Sequence, residues 1–137
     1  MLRYMLDTNL CIRVLRDRPA SARRRFNENS EGLCISTVVL TELLHGAAKS
    51  ARPVENRRAV EDFAARLDVL PFDEAAADHA ADIRADLERK GAVIGAYDYD
   101  LLIAGHARSK GLAMITGNLG EFRRVEGLRC EDWLAED

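Results

Sequence analysis

The sequence predicts an α/β fold in which a mostly parallel central sheet is flanked by helices. Short apolar segments recur along the chain, and most are followed by a longer segment with helical periodicity. This alternation is typical of parallel strands joined by helices. With 137 residues, 47% of them hydrophobic, we expect one domain spanning residues 1–137.

Strands are expected where apolar residues are consecutive, because both faces of a central parallel strand are buried. The first predicted strand is 4–6, and a helix follows it from about Leu10, after the capping types Thr8 and Asn9. The other predicted strands are 33–35, 69–70, 113–116 and an edge strand at 128–130. Pro53 is expected to end the helix that starts at 36–37, and Asp73 to cap a long helix reaching residue 90.

Composition excludes several classes of protein. Twenty basic against 23 acidic side chains leave a formal charge of −3, which argues against a strongly basic nucleic-acid binder. The three cysteines form no CxxC pair, so we expect reduced thiols rather than disulfides or a zinc cluster. We find neither a leader-like apolar start nor an 18-residue apolar run, and therefore expect a cytoplasmic protein that does not span a membrane.

Charge is unevenly distributed along the chain. Residues 1–30 are rich in arginine, whereas residues 73–100 are rich in aspartate and glutamate. A basic edge beside an acidic patch would suit a phosphate backbone held near a cation, and a solvated helix face accounts for the arginines equally well.

Three carboxylates stand out by their positions. Asp7 follows the first strand, at the end where parallel sheets bind ligands, although a residue that merely caps the end of the strand would look the same. Glu42 lies on a partly apolar helix face. Asp100 shares the i, i+3, i+4, i+7 stripe of small apolar residues and should therefore point inward. Asp98 is interpreted as the cap of that helix, with a ligand role left open.

Meeting in one pocket, these acids would require a cation or protons. Carboxylates about 5 Å apart repel by roughly 3 kcal/mol per pair at an effective dielectric near 20. Oxygen ligands without His or Cys favour Mg²⁺, or Mn²⁺, over zinc. The chemistry expected of such a site is metal-assisted hydrolysis of a phosphodiester. Thr8, Asn9, Thr116 and Asn118 are the polar neighbours expected to position the substrate.

Four ordered segments resemble the motifs of PIN-domain proteins, and their spacing is similar to that of VapC toxins. They are Met5-Leu6-Asp7-Thr8-Asn9, Thr41-Glu42-Leu43-Leu44-His45-Gly46, Asp100-Leu101-Leu102-Ile103-Ala104-Gly105-His106-Ala107 and Thr116-Gly117-Asn118-Leu119-Gly120-Glu121-Phe122. Together with the closing segment 127–133, the similarity covers essentially the whole chain.

The resemblance implies a three-layer PIN-like fold and a Mg²⁺-dependent endoribonuclease. Asp7 and Asp100 match the principal metal-binding aspartates, and Glu42 matches the motif glutamate. Asn118 falls where many members carry a fourth acid, and the nearby Glu121 is the alternative candidate for that role, so the resemblance does not fix the number of ions. The resemblance also implies a homodimer silenced by a cognate VapB antitoxin, whose tail enters the acidic groove.

Two other classes of protein are also compatible with this sequence. One is a non-catalytic PIN-like module that binds RNA or protein. The other is a receiver-like signalling domain, which also places acids at strand ends but needs a lysine after a late strand. Only Lys49, Lys90 and Lys110 occur, and none is so placed.

Overall fold

The computed structural model describes residues 1–17, 20–92 and 98–134, without the side chain of Asp98. The elements in chain order are β1 (Tyr4–Leu6), α1 (Thr8–Arg16), α2 (Ala20–Glu28), β2 (Leu33–Ser36), α3 (Thr37–Ala48), α4 (Pro53–Ala64), β3 (Asp68–Leu70), α5 (Glu74–Arg89), α6 (Asp98–Ser109), β4 (Ala113–Ile115), α7 (Leu119–Phe122) and β5 (Cys130–Glu131).

The five strands form one sheet in the order β3-β2-β1-β4-β5, and every pairing among them is parallel. β1 therefore lies at the centre, as its three consecutive apolar residues predicted. Parallel pairing brings the carboxyl ends of all strands to one edge of the sheet. Met5, for example, lies between Cys34 and Met114, so the residues that follow β1, β2 and β4 meet at that edge.

Helices pack against this sheet and against one another, which confirms the predicted α/β class with helices around a parallel sheet. α5 packs on α6 and α3 packs on α4, while α1 contacts α2, α3 and α4. The predicted inner stripe of α5 is buried at Ala76, Ala80, Ile83 and Leu87. In the part of the chain that the structure describes, no helix combines the length and apolar character needed to cross a membrane.

Two predicted boundaries are wrong. Pro53 begins α4 rather than ending α3, which stops earlier at Ala48. Proline suits the first position of a helix because the missing N–H would have no partner there. The first helix begins at Thr8 rather than Leu10, because Asp7, and not the following polar pair, is its cap.

Aromatic packing anchors the last described segment of the chain, which ends at residue 134. Trp133 is buried and meets the Tyr4 ring edge-on at 5.2 Å, and its indole N–H donates to Glu131 at 3.2 Å. β5 pairs only at Cys130–Glu131, two residues later than the start of the predicted edge strand. All three cysteines are free.

The imidazole of His106 packs inside the fold and forms no hydrogen bond with the described residues. It is fully buried, meets the Phe72 ring edge-on at 5.6 Å, and neither ring nitrogen has a partner among the described residues. Burial lowers the pKa of this imidazole. Its role is therefore packing between α6 and the segment before α5.

Gly105 sets how closely α6 approaches α5. A Cβ at Gly105 would lie 2.6 Å from the Ala80 backbone, whereas a Cβ at Gly46 in α3 would meet nothing within 4 Å. We expect Gly105→Ala to lower the free energy of unfolding by about 1–3 kcal/mol, because the helices must separate. Gly46→Ala should raise it by up to about 1 kcal/mol through helix propensity. Urea unfolding of both variants checks this, and equal effects would contradict the close packing.

Candidate active site

Asp7 joins the end of β1 to the start of α1. It is 5% exposed, and its Oδ1 accepts the Leu10 N–H at 2.8 Å, so the carboxylate caps the helix. Burial is the main cause that raises the pKa of Asp7, to about 6; hydrogen bonds from Leu10 and Thr116 oppose the rise, and the charges of Asp100 and Glu42 add to it. Asp7 is thus both the helix cap and a candidate metal ligand. One oxygen of its carboxylate accepts the hydrogen bond at the start of the helix, while the charge of the carboxylate interacts with the other acids.

Glu42 is half-buried on α3 and is held by a residue of α1. The hydroxyl of Thr8 donates to Glu42 Oε1 at 2.5 Å across 34 residues of sequence. Thr8 was predicted to position a substrate, and the structure shows it orienting this carboxylate. A hydrogen bond to a charged acceptor is stronger than one between neutral groups, so it fixes the side-chain rotamer of Glu42.

Asp100 lies half-buried in the first turn of α6, on the stripe that the sequence predicted. Burial raises the pKa of its carboxyl, and the charges of Glu42 and then Glu121 raise it further. Asp7, Glu42 and Asp100, which are up to 93 residues apart along the chain, therefore share one electrostatic environment. Glu121 joins this environment from α7.

The polar residues after β4 have distinct positions. Thr116 is buried, its hydroxyl opposes the rise in the pKa of Asp7, and it accepts the Asn118 backbone N–H at 3.0 Å. The side chains of Asn118 and Asn9 are exposed, and Asn118 makes no side-chain hydrogen bond as the cap of α7. The predicted capping role of Asp98 falls on a side chain outside the described residues.

The donor set fits a hard cation that keeps part of its hydration shell. Among the described side chains, which exclude that of Asp98, no three from His, Cys, Asp or Glu are close enough to ligate one ion directly. Magnesium retains several waters and is commonly bound through one or two carboxylates. A buried aspartate whose pKa is raised by two other acids is the kind of group that such an ion would stabilise.

A groove of about 650 Å³ leads away from these acids, and the sequence reasoning missed it. Thr8 and Glu42 line one part, and Arg16, Lys49 and Tyr99 line others. The spacing of residues 8, 12 and 15–16 on α1 could have indicated one side of this groove, since positions i, i+4 and i+7–i+8 lie on one helix face. The other side of the groove is formed by α3 and α4, and no pattern in the sequence indicated it.

A parallel sheet with acids gathered at its carboxyl edge defines a class of protein, and comparison identifies that class. A model of the PIN domain matches residues 4–128. The chain therefore belongs to the PIN-domain family, and its predicted three-layer fold is confirmed. This membership leaves no place for the receiver-like alternative.

Within the family, the chain groups with VapC proteins. It is 53% identical to the tRNA(fMet)-specific endonuclease VapC of Shigella flexneri over 97% of this chain and 99% of that protein. It is 44% identical to ribonuclease VapC2 of Haemophilus influenzae over 98% and 100%. Among solved structures, a DNA-bound VapBC complex of Salmonella typhimurium matches with a TM-score of 0.90 and 50% identity, covering 97% of this chain and 99% of that one.

The buried charge of Asp7 should cost stability in the absence of a cation. Its folded pKa of about 6 lies above the unfolded value of 3.8, so the folded state binds the proton more tightly and stability falls as pH rises from about 4 to about 7. Asp7→Asn keeps an N-cap and removes the charge. In chelator, we expect this variant to be more stable than the parent at about pH 7.5, by up to about 3 kcal/mol.

The gain should shrink as the pH is lowered and be small near pH ~4, where the parent carboxyl is protonated. Denaturant unfolding across this range measures it. The matched control is Asp62→Asn, which changes an exposed aspartate on α4. A gain that does not depend on pH, or that appears equally in the control, would show that Asp7 carries no buried charge.

Proposed function

We propose that this chain is the toxin of a VapBC-type toxin–antitoxin pair and acts as a Mg²⁺-dependent endoribonuclease. The observation that supports this most is the shared environment of Asp7, Glu42 and Asp100 at the carboxyl edge of the sheet, in a chain half identical to proteins named endonucleases. Burial and neighbouring acids raise the pKa of both Asp7 and Asp100, and such an arrangement is costly in a protein that gains nothing from it.

In this mechanism Asp7 and Asp100 would hold the ion, and Glu42 would bind it through water. When bound, Mg²⁺ would supply Lewis-acid activation of water and of the scissile phosphate. The Leu10 N–H holds Asp7 in place by a hydrogen bond, and the Thr8 hydroxyl does the same for Glu42. These bonds preorganise the acids, so little reorganisation is required when the phosphate arrives.

Glu121 is proposed as a further acid of the site. Asn118 stands where many family members carry an acid, but its side chain is neutral and exposed, whereas the charge of Glu121 reaches Asp100. Glu121 would accordingly bind a second ion or a water next to the first. Asn118 and Asn9, whose side chains are exposed, would contact the RNA backbone.

Cleavage should depend on Mg²⁺ and on Asp100. With tRNA(fMet), the substrate in the names of two relatives, as the first RNA tested, we expect wild-type protein to cut in Mg²⁺ and not in chelator. Asp100→Asn should lower the rate on the order of 100-fold or more, because a ligand is lost. Asp62→Asn is the control and should cut at the wild-type rate. Full activity of Asp100→Asn, or cutting in chelator, would contradict the mechanism.

Metal binding has a readout that does not require an RNA substrate. An ion that binds only the folded state raises the melting temperature as its concentration rises. We expect Mg²⁺ or Mn²⁺ to stabilise the wild type at about pH 7.5 and to stabilise Asp7→Asn much less, since the ion also relieves the repulsion at Asp7. Equal stabilisation of both proteins would mean that the ion binds elsewhere. No stabilisation, with no cleavage of any RNA, would favour the non-catalytic PIN-like module.

The partner proposed for this chain is a VapB-type antitoxin, within a complex that contains a toxin homodimer. The similar solved structures are titled as VapBC complexes from Salmonella typhimurium and Rickettsia felis. A basic antitoxin tail entering the acidic pocket would place an arginine where the cation sits. Co-expression with the product of the neighbouring upstream gene should yield a complex whose RNA cleavage is suppressed.

A further inference from the structure

The groove between α1, α3 and α4 continues from the acidic site across the surface. We propose that its part around Arg16, Lys49 and Tyr99, here called the flanking groove, binds the single-stranded RNA next to the scissile phosphate. This inference rests on the proposed ribonuclease function and adds to it the residues that position the strand.

Continuity with the site is the first support. Thr8 and Glu42, which are bonded to each other, line the same groove as Arg16, Lys49 and Tyr99. A phosphodiester held beside Glu42 has nucleotides on both sides, and the chain on one side must leave the site over some surface. The groove, at about 650 Å³, is large enough to accept part of that strand.

Two cations on the groove are available for phosphate. Arg16 lies in the last turn of α1 and Lys49 caps the end of α3, and both side chains are exposed. In the described part of the chain neither forms an ion pair, whereas Lys90 and Lys110 each pair with an acid. In a chain of net charge −3, two unpaired cations beside an acidic site offer a local match to a polyanion.

Tyr99 offers the aromatic surface that single-stranded RNA uses. It is 47% exposed and precedes Asp100 on α6, so a base stacked on it would lie beside the reacting phosphate. Single-stranded RNA is generally recognised by aromatic stacking together with cations along the backbone. Ile12 and Leu15 provide an apolar floor that a protein segment would also accept, but the unpaired cations and the continuity with the acids favour RNA.

The test measures RNA binding in chelator, where no cutting is expected. The probe is a fluorescein-labelled single-stranded oligoribonucleotide of about 12 nucleotides, and anisotropy gives Kd at several salt concentrations. Arg16→Ala and Lys49→Ala should each weaken binding and reduce the slope of log Kd against log salt by about 0.7, the value for one lost phosphate contact. Tyr99→Ala should weaken binding about tenfold with the slope unchanged, and Tyr99→Phe should restore it.

Arg13→Ala is the matched control, because Arg13 is an exposed arginine in the same last turn of α1 and does not line the groove. It should leave both Kd and the salt slope unchanged. Equal effects of Arg13→Ala and Arg16→Ala would overturn the proposal. So would unchanged RNA binding in all three groove variants together with weaker capture of the antitoxin, since the groove would then be a protein-docking surface.

Failure of the flanking groove is distinguishable from failure of the ribonuclease function. If the wild type cuts RNA in Mg²⁺ but the Arg13 and Arg16 variants bind RNA equally well, the proposed RNA-binding role of the flanking groove is wrong and the ribonuclease function stands. If the slopes of log Kd against log salt change as expected but no RNA is cut, the RNA-binding role of the flanking groove is supported and the proposed ribonuclease function is wrong.

Discussion

The structure depends on the placement of one charge, that of Asp7, at the buried junction between the central strand and the first helix. Its carboxylate is 5% exposed and serves as the helix cap, so it is not free to turn toward solvent. Burial raises its pKa to about 6, and two acids from distant helices add to that rise. The fold thus maintains an unfavourable electrostatic arrangement at the edge of the sheet where parallel architectures bind ligands.

Neighbouring residues fix the orientation of these acidic side chains. Thr8 donates a hydrogen bond to Glu42 and thereby links α1 to α3, while the Thr116 hydroxyl lies near Asp7 and opposes the rise in the pKa of that carboxyl. Thr116 follows β4 directly and Thr8 follows β1 after Asp7, so the sheet positions the backbone of both threonines. Residues predicted as substrate contacts therefore act, in the structure, on the acids themselves. Among the described side chains, no three from His, Cys, Asp or Glu are close enough to ligate one ion directly, an arrangement compatible with an ion that binds one or two carboxylates and keeps waters or phosphate oxygens.

Much of the fold was predictable because its signals are local. Three consecutive apolar residues indicated the central strand at β1, and the regular stripe of α5 indicated its buried face. Pro53 was misinterpreted because proline is common both after a helix and at the first position of the next one. His106 had no local signal at all, since its burial against Phe72 depends on how α6 packs on the segment before α5.

The sequence by itself determined the alternation of strands and helices, the position of Asp7 at a strand end and the inward face of Asp100, because strand burial and helix periodicity are properties of neighbouring residues. Only the tertiary structure decided that Asp7, Glu42, Asp100 and Glu121 influence one another, and that Arg16, Lys49 and Tyr99 line one groove. These groups come from separate helices, and the distances between helices follow from strand order and packing, such as the contact of Gly105 with Ala80, which short segments of sequence do not encode.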